Sequence, residues 1–189
     1  FLSKERIYSK SAVIYFYIPL FSSYNRSLYK DLFYKSFMDH KRFFSRKADE
    51  VAKDLIGRLL IRKTSDGTTA RQITEVGAYE EGKEIHSRKG MKYSPGSLYL
   101  MSRRGNQLFN IATDREGYAS CVEVREVAFH DGVIKGPGAI SNYFRITKDL
   151  DGMAFGDELQ ISEEPVDPKK IKKSKGDADN CIGYFSLVG

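Results

Sequence analysis

The feature that most limits the fold of this chain is a succession of short β-forming runs cut by tight polar turns, with little helix between them. The clearest run is Ala119–Phe129, where Val122, Val124 and Val127 alternate with Glu123, Arg125 and Glu126. Further strands are expected at Leu59–Arg62, Arg71–Val76, Ser97–Met101, Leu108–Ala112 and Glu158–Ile161. The turns between them carry Asp66-Gly67, Pro95-Gly96, Arg104-Gly105 and the stretch from Asp114 to Gly117. Two helices are expected. Ala48, Val51, Ala52 and Leu55 recur at helical spacing within Arg46–Ile56, with Ser45 as N-cap and Gly57 just past the end. Gly136-Pro137-Gly138 opens the second, Ala139–Arg145; such an entry either leaves backbone N–H groups for an anion or is an ordinary loop. Regular strand–helix alternation is missing, which excludes a doubly wound parallel sheet. The expected fold class is α+β: a compact single domain around an antiparallel sheet with a few helices.

With 189 residues and 41% apolar content the chain is long enough to bury a core. A formal charge of +6 invites a nucleic-acid partner, but the charge is uneven. Residues 1–37 hold six of the 31 Lys/Arg and only two of the 25 Asp/Glu, so the remainder carries just +2. Any affinity for DNA must therefore come from local patches. The five lysines of Lys169–Lys175 are one such patch, or else a solvated, mobile face. Residues 1–37 are expected to be an N-terminal extension outside the domain, non-native or disordered, with Met38 as the start of the organised part and an incomplete C-terminus. The apolar run Ala12–Phe21 is too short to span a bilayer. Cys121 and Cys181 form no C-x-x-C, and His40, His86 and His130 form no metal-spaced pair.

The stretch most suggestive of a site is Ile73–Arg88. It starts as a strand and empties into a polar segment holding Tyr79, His86 and several glutamates. A rigid strand that delivers titratable side chains to a loop is a common way to build a site; a solvated acidic turn is the plain alternative.

From about Arg42 to Ile161 the chain resembles the alkyladenine (3-methyladenine) DNA glycosylase family. The resemblance rests on Phe43-Phe44-Ser45-Arg46, Asp54 through Leu60, Ile73 through Tyr79, His86-Ser87-Arg88, Met91 with Pro95 through Tyr99, Asn110-Ile111, Val124 through Val127, and Gly136-Pro137-Gly138, in the family's order. It implies a curved antiparallel sheet in a single domain. It also implies a monofunctional hydrolase that excises alkylated or deaminated purines from double-stranded DNA, without metal or cofactor. Such a protein would be a monomer located with the DNA, in the nucleoid or nucleus, and neither secreted nor membrane-bound. By the same resemblance, Tyr79 and His86 wall the pocket for the flipped base. Met101 takes the place of a second aromatic wall, and Asn110 borders the pocket. Arg104, with Arg103 and Arg88, contacts DNA, Arg104 standing where the family has a wedge tyrosine. Arg125 helps hold the hydrolytic water.

One position departs from the family pattern. The motif Glu-x-Glu-Ala-Tyr reads Glu75-Val76-Gly77-Ala78-Tyr79, so glycine replaces the general base. General-base catalysis contributes roughly 10²–10⁴-fold. Glu75 shares the strand face of residue 77 and lies about 6–7 Å back along it. It is the first candidate to act instead, with Glu80 and Glu81 as others. Three readings stay open: a glycosylase using one of these acids, a catalytically impaired lesion-binding homologue, or a translated fragment or decayed gene copy with no function.

Overall fold

The computed structural model describes residues 39–80, 93–156, 158–163, 165, 171–176 and 181–188. In chain order the elements are α1 (His40–Phe44), α2 (Ala48–Leu55), β1 (Leu59–Thr64), β2 (Gly67–Tyr79), β3 (Leu98–Arg103), β4 (Asn106–Ala112), β5 (Cys121–Phe129), β6 (Gly132–Lys135) and α3 (Pro137–Tyr143). A single 3-10 turn at Lys148–Leu150 follows, then β7 (Leu159–Ile161), β8 (Ile171–Ser174) and β9 (Cys181–Leu187). Every strand pairing is antiparallel.

Two long strands, β2 and β5, lie side by side at the centre of one curled sheet. The outer edge of β2 is shared, β1 taking Gly67–Gln72 and β9 taking Glu75–Tyr79. The outer edge of β5 is shared likewise between β4 and β6. Strand β3 extends the sheet beyond β4, β7 beyond β1 and β8 beyond β9. The α+β expectation holds. The strand expected at Arg71–Val76 is far longer, because its pairing with β5 and β9 continues to Tyr79.

One face of the sheet is the core. Val76, Ala78, Val122 and Val124 point from β2 and β5 toward the helices, joined by Phe109 and Ile111 from β4. Burying each such Val, Leu or Ile side chain contributes about 1.5–3 kcal/mol. The α2 helix presents Ala48, Val51, Ala52 and Leu55 to this layer, as its spacing demands. Gly57 (φ 84°) ends it in the left-handed conformation, and its N–H donates to Ile73 O at 2.8 Å, tying the helix to β2.

Three local expectations need correction. Ser45 is not the N-cap of α2. It ends the additional helical turn α1, its hydroxyl donating to Lys41 O at 2.7 Å, while Lys47 occupies the N-cap of α2 without a side-chain bond. Asp39 starts α1 by accepting from Arg42 N, so Ser45 is already used. The second helix begins earlier than expected, with Pro137 in its first turn. Finally, the lysine run is partly a strand: Ile171–Ser174 pairs with β9, although its side chains stay exposed.

Candidate active site

The other face of the sheet carries the chemistry. Residues directly opposite one another on neighbouring strands share a face. The register therefore sets out one lateral row, Tyr99 on β3, Asn110 on β4, Glu123 on β5, Gly77 on β2 and Tyr184 on β9. A second row runs beside it through Ala112, Cys121 and Tyr79. A register shift around Glu75 explains why Ile73 and Val76, three apart, both reach the core. Bulges of this kind re-aim side chains near sites.

Arg125 is the centre of this face. Its Nε donates to Glu75 Oε1 at 3.1 Å and its Nη1 to Glu123 Oε1 at 3.0 Å. The same Nη1 lies 3.4 Å from Tyr79 Oη, which is also 3.4 Å from Glu123 Oε1. The guanidinium stacks over the Tyr184 ring, 4.2 Å from its centroid, in cation–π geometry. Burial alone pulls the Arg125 pKa down. The neighbouring Tyr79 and Tyr184 phenols, Glu123, and the bond to Glu75 outweigh it, and the net shift is upward. Arg125 is thus a fixed cation held by two acids.

Gly77 sits beneath this cluster. A Cβ there would lie 2.8 Å from Tyr79 Cε2 and 3.2 Å from Tyr184 Cδ1, so both rings lean over the glycine. Tyr79 itself is buried, at the end of β2 rather than in a loop. Asn110 is fully buried, its Nδ2 donating to Tyr99 O and Leu108 O and its Oδ1 accepting from the Cys121 thiol. Met101 shares the face of Tyr99, while Leu98 and Leu100 point to the core. Tyr99 packs on Tyr93 at 5.5 Å between centroids, and Tyr93 donates to Asp151 at 3.2 Å.

Arg104 and Gly105 form the two-residue tip of the β3–β4 hairpin. Both have positive φ, 50° and 79°, as a type I′ turn requires. Arg103 and Arg104 are exposed there. His86 and Arg88 lie outside the described residues, as does Glu81. The structure therefore joins Glu75, Arg125, Tyr79 and Gly77 directly, sets Asn110 in the same row through Glu123, and places Arg103 and Arg104 on a hairpin tip. Among the described residues no three His, Cys, Asp or Glu side chains gather as a metal site.

The sequence matches the model of a protein family, methylpurine-DNA glycosylase, over residues 42–176. The chain belongs to that family. Relatives named "Putative 3-methyladenine DNA glycosylase" are similar to it. The one from Methanocella arvoryzae is 29% identical over 157 residues, covering 68% of this chain and 78% of the relative. That from Streptomyces avermitilis is 28% identical over 163 residues, covering 70% and 76%. That from Chlorobium phaeobacteroides (strain BS1) is 30% identical over 161 residues, covering 70% and 81%. The matched region agrees with the resemblance read from the motifs, and it makes the chain a DNA glycosylase, a DNA-repair hydrolase, by family.

Two members of the central cluster escaped the reading of this glycosylase's sequence. Glu123 reads as a solvent-facing partner in the alternation of β5, yet it is buried. Tyr184 lies in a stretch without clear strand patterning. The signal for Glu123 was its parity: it alternates with core valines and stands two residues from Arg125, so the two share a face.

Proposed function

We propose that the protein excises alkylated or deaminated purines from duplex DNA, by hydrolysing the N-glycosidic bond of a nucleotide flipped out of the stack. The observation that carries this is the Arg125 cluster. A cation held by two carboxylates, beside an aromatic ring and a buried amide on one sheet face, suits holding water against a sugar carbon next to a flat base. Base flipping costs a few kcal/mol and is cheapest at a damaged pair. Arg104 at the hairpin tip fills the gap in the duplex, its planar guanidinium stacking on bases, while Arg103 and Arg88 meet phosphates. Tyr79 and His86 wall the base pocket with Met101, and Asn110 borders it. Arg125 orients the water, and a carboxylate of its cluster, Glu75 or Glu123, takes the proton. The protein works as a monomer with double-stranded DNA in the compartment that holds it.

A second reading, binding without excision, is favoured by one observation: residue 77 is glycine, with the Tyr79 ring lying against it. Single-turnover assays with the protein in excess over a duplex holding one hypoxanthine or one alkylated purine separate the two. Release of free base is expected. Tight binding of the damaged duplex with no base released would establish the non-excising reading instead.

A further inference from the structure

Glu123 is, among the described residues, the one carboxylate that is buried, at 3% exposure. Burying a carboxylate is costly unless it is paired, and Glu123 is on the sheet face that carries Arg125. Resting on the glycosylase reading above, we propose that Glu123 is the general base, a catalytic carboxylate supplied from β5 across the ladder from Gly77.

Three observations support it. The first is register: Glu123 and Gly77 are direct partners on neighbouring strands. Side chains at such positions project from the same face with Cβ atoms about 4.5–5.5 Å apart. A glutamate at 123 therefore stands beside residue 77, which carries no side chain of its own and is overlain by the Tyr79 and Tyr184 rings. The second is the pair of groups aimed at one oxygen of Glu123. Arg125 Nη1 donates to Oε1 at 3.0 Å, and Tyr79 Oη stands 3.4 Å from it. The Tyr79 hydroxyl is also 3.4 Å from Arg125 Nη1, and both contacts are long for an oxygen hydrogen bond. The Tyr79 hydroxyl oxygen thus stands beside a carboxylate acceptor and a guanidinium donor, the kind of surroundings that orient an attacking water. The third is the contrast with Glu75. That side chain is a third exposed and bonds the opposite side of the guanidinium, at Nε. In this assignment Glu75 positions Arg125, and Glu123 takes the proton.

In the step that follows, the water oxygen bonds to C1′ of the flipped nucleotide. The C1′–N bond breaks, and its electron pair leaves with the purine. The water proton passes to Glu123 Oε1.

The test is single-turnover base release from duplexes holding one hypoxanthine or one alkylated purine, for the wild type, Glu123→Gln, Glu123→Asp and Glu75→Gln, with duplex affinity and thermal melting measured in parallel. Glu123→Gln is expected to slow release by roughly 10²–10⁴-fold, with damaged-duplex affinity unchanged. Glu75→Gln is expected to lose less. If Glu123→Gln does not melt cooperatively, Glu123→Asp decides, because it keeps the charge and withdraws the oxygens by one methylene; its release must also fall. Release by folded Glu123→Gln at the wild-type rate overturns the assignment and leaves the glycosylase reading intact. Wild-type protein that binds but releases neither base overturns the glycosylase reading, and this assignment with it.

Discussion

Arg125 bonds Glu75 and Glu123 at once, and its removal strands a buried carboxylate. Arg125→Ala is therefore expected to destabilise the fold by about 3 kcal/mol, read as a shift in the urea midpoint, and to abolish excision. Gly77→Glu is a sharper probe. The new Cβ meets the Tyr79 and Tyr184 rings, and the new carboxylate would stand opposite Glu123. Two neighbouring carboxylates disfavour each other's charge. The single substitution is expected to cost about 1–3 kcal/mol of stability and to give no gain in base release. Combined with Glu123→Gln, it places the new acid with no carboxylate opposite it, and release is expected to rise above that of Glu123→Gln alone. A large gain from Gly77→Glu by itself would show that no existing side chain serves as the base.

At the scale of elements, the β3–β4 hairpin ends on a non-glycine residue in the left-handed region, Arg104 at φ 50°. Strain of this kind costs about 1–3 kcal/mol and gathers at functional positions. Arg104→Asn relieves it, because asparagine suits this turn position. The variant is expected to melt higher than the wild type and to bind damaged duplex more weakly, with a shallower dependence on salt. Equal affinity would remove Arg104 from the DNA contact. The same hairpin shows how much the sequence reveals. Its turn, its two strands and the face of Asn110 are legible from alternation and Arg-Gly, as are α2 and the core side of β5. Strand β9 is not. Cys181–Leu187 mixes Gly183 and Ser186 among apolar residues, and its pairing with β2 is settled by tertiary contact alone. Glu123 was hidden for a different reason. A strand face reading Glu-x-Arg looks solvent-bound, yet here Tyr79 and Tyr184 lie against it and make it an interior. The end of β2 misled in the same way, since the strand continues three residues past Val76, to Tyr79.

Across the whole molecule, one bond joins the first described turn to the far side of the sheet. His40 is buried in α1, and its Nε2 accepts from Ile161 N on β7 at 3.2 Å. Its ring also packs on Phe155, 5.8 Å between centroids. Burial pushes the His40 pKa below the ordinary 6.5, outweighing the opposite pull of the Asp39 charge. An imidazole that must accept a hydrogen bond is neutral, and protonating it removes the lone pair that holds β7. The unfolded chain then binds a proton more readily than the folded one, so stability rises with pH across this interval. The contribution is complete above 6.5 and is lost as pH falls from there toward the depressed folded value. Half-buried carboxylates act lower. Asp151 resists the upward push of burial through its bonds to Lys148 and Leu100 N, so its pKa sits below 3.8 and its contribution fails only in stronger acid. Two separate losses are therefore expected on acidification, and only the first belongs to His40. His40→Gln offers an amide oxygen to the Ile161 N–H without titrating. Thermal melts from pH 7.5 down to 5 should show the wild type losing stability below about 6.5, while His40→Gln stays level until the carboxylates protonate. Parallel curves for the two proteins would place the acid sensitivity elsewhere.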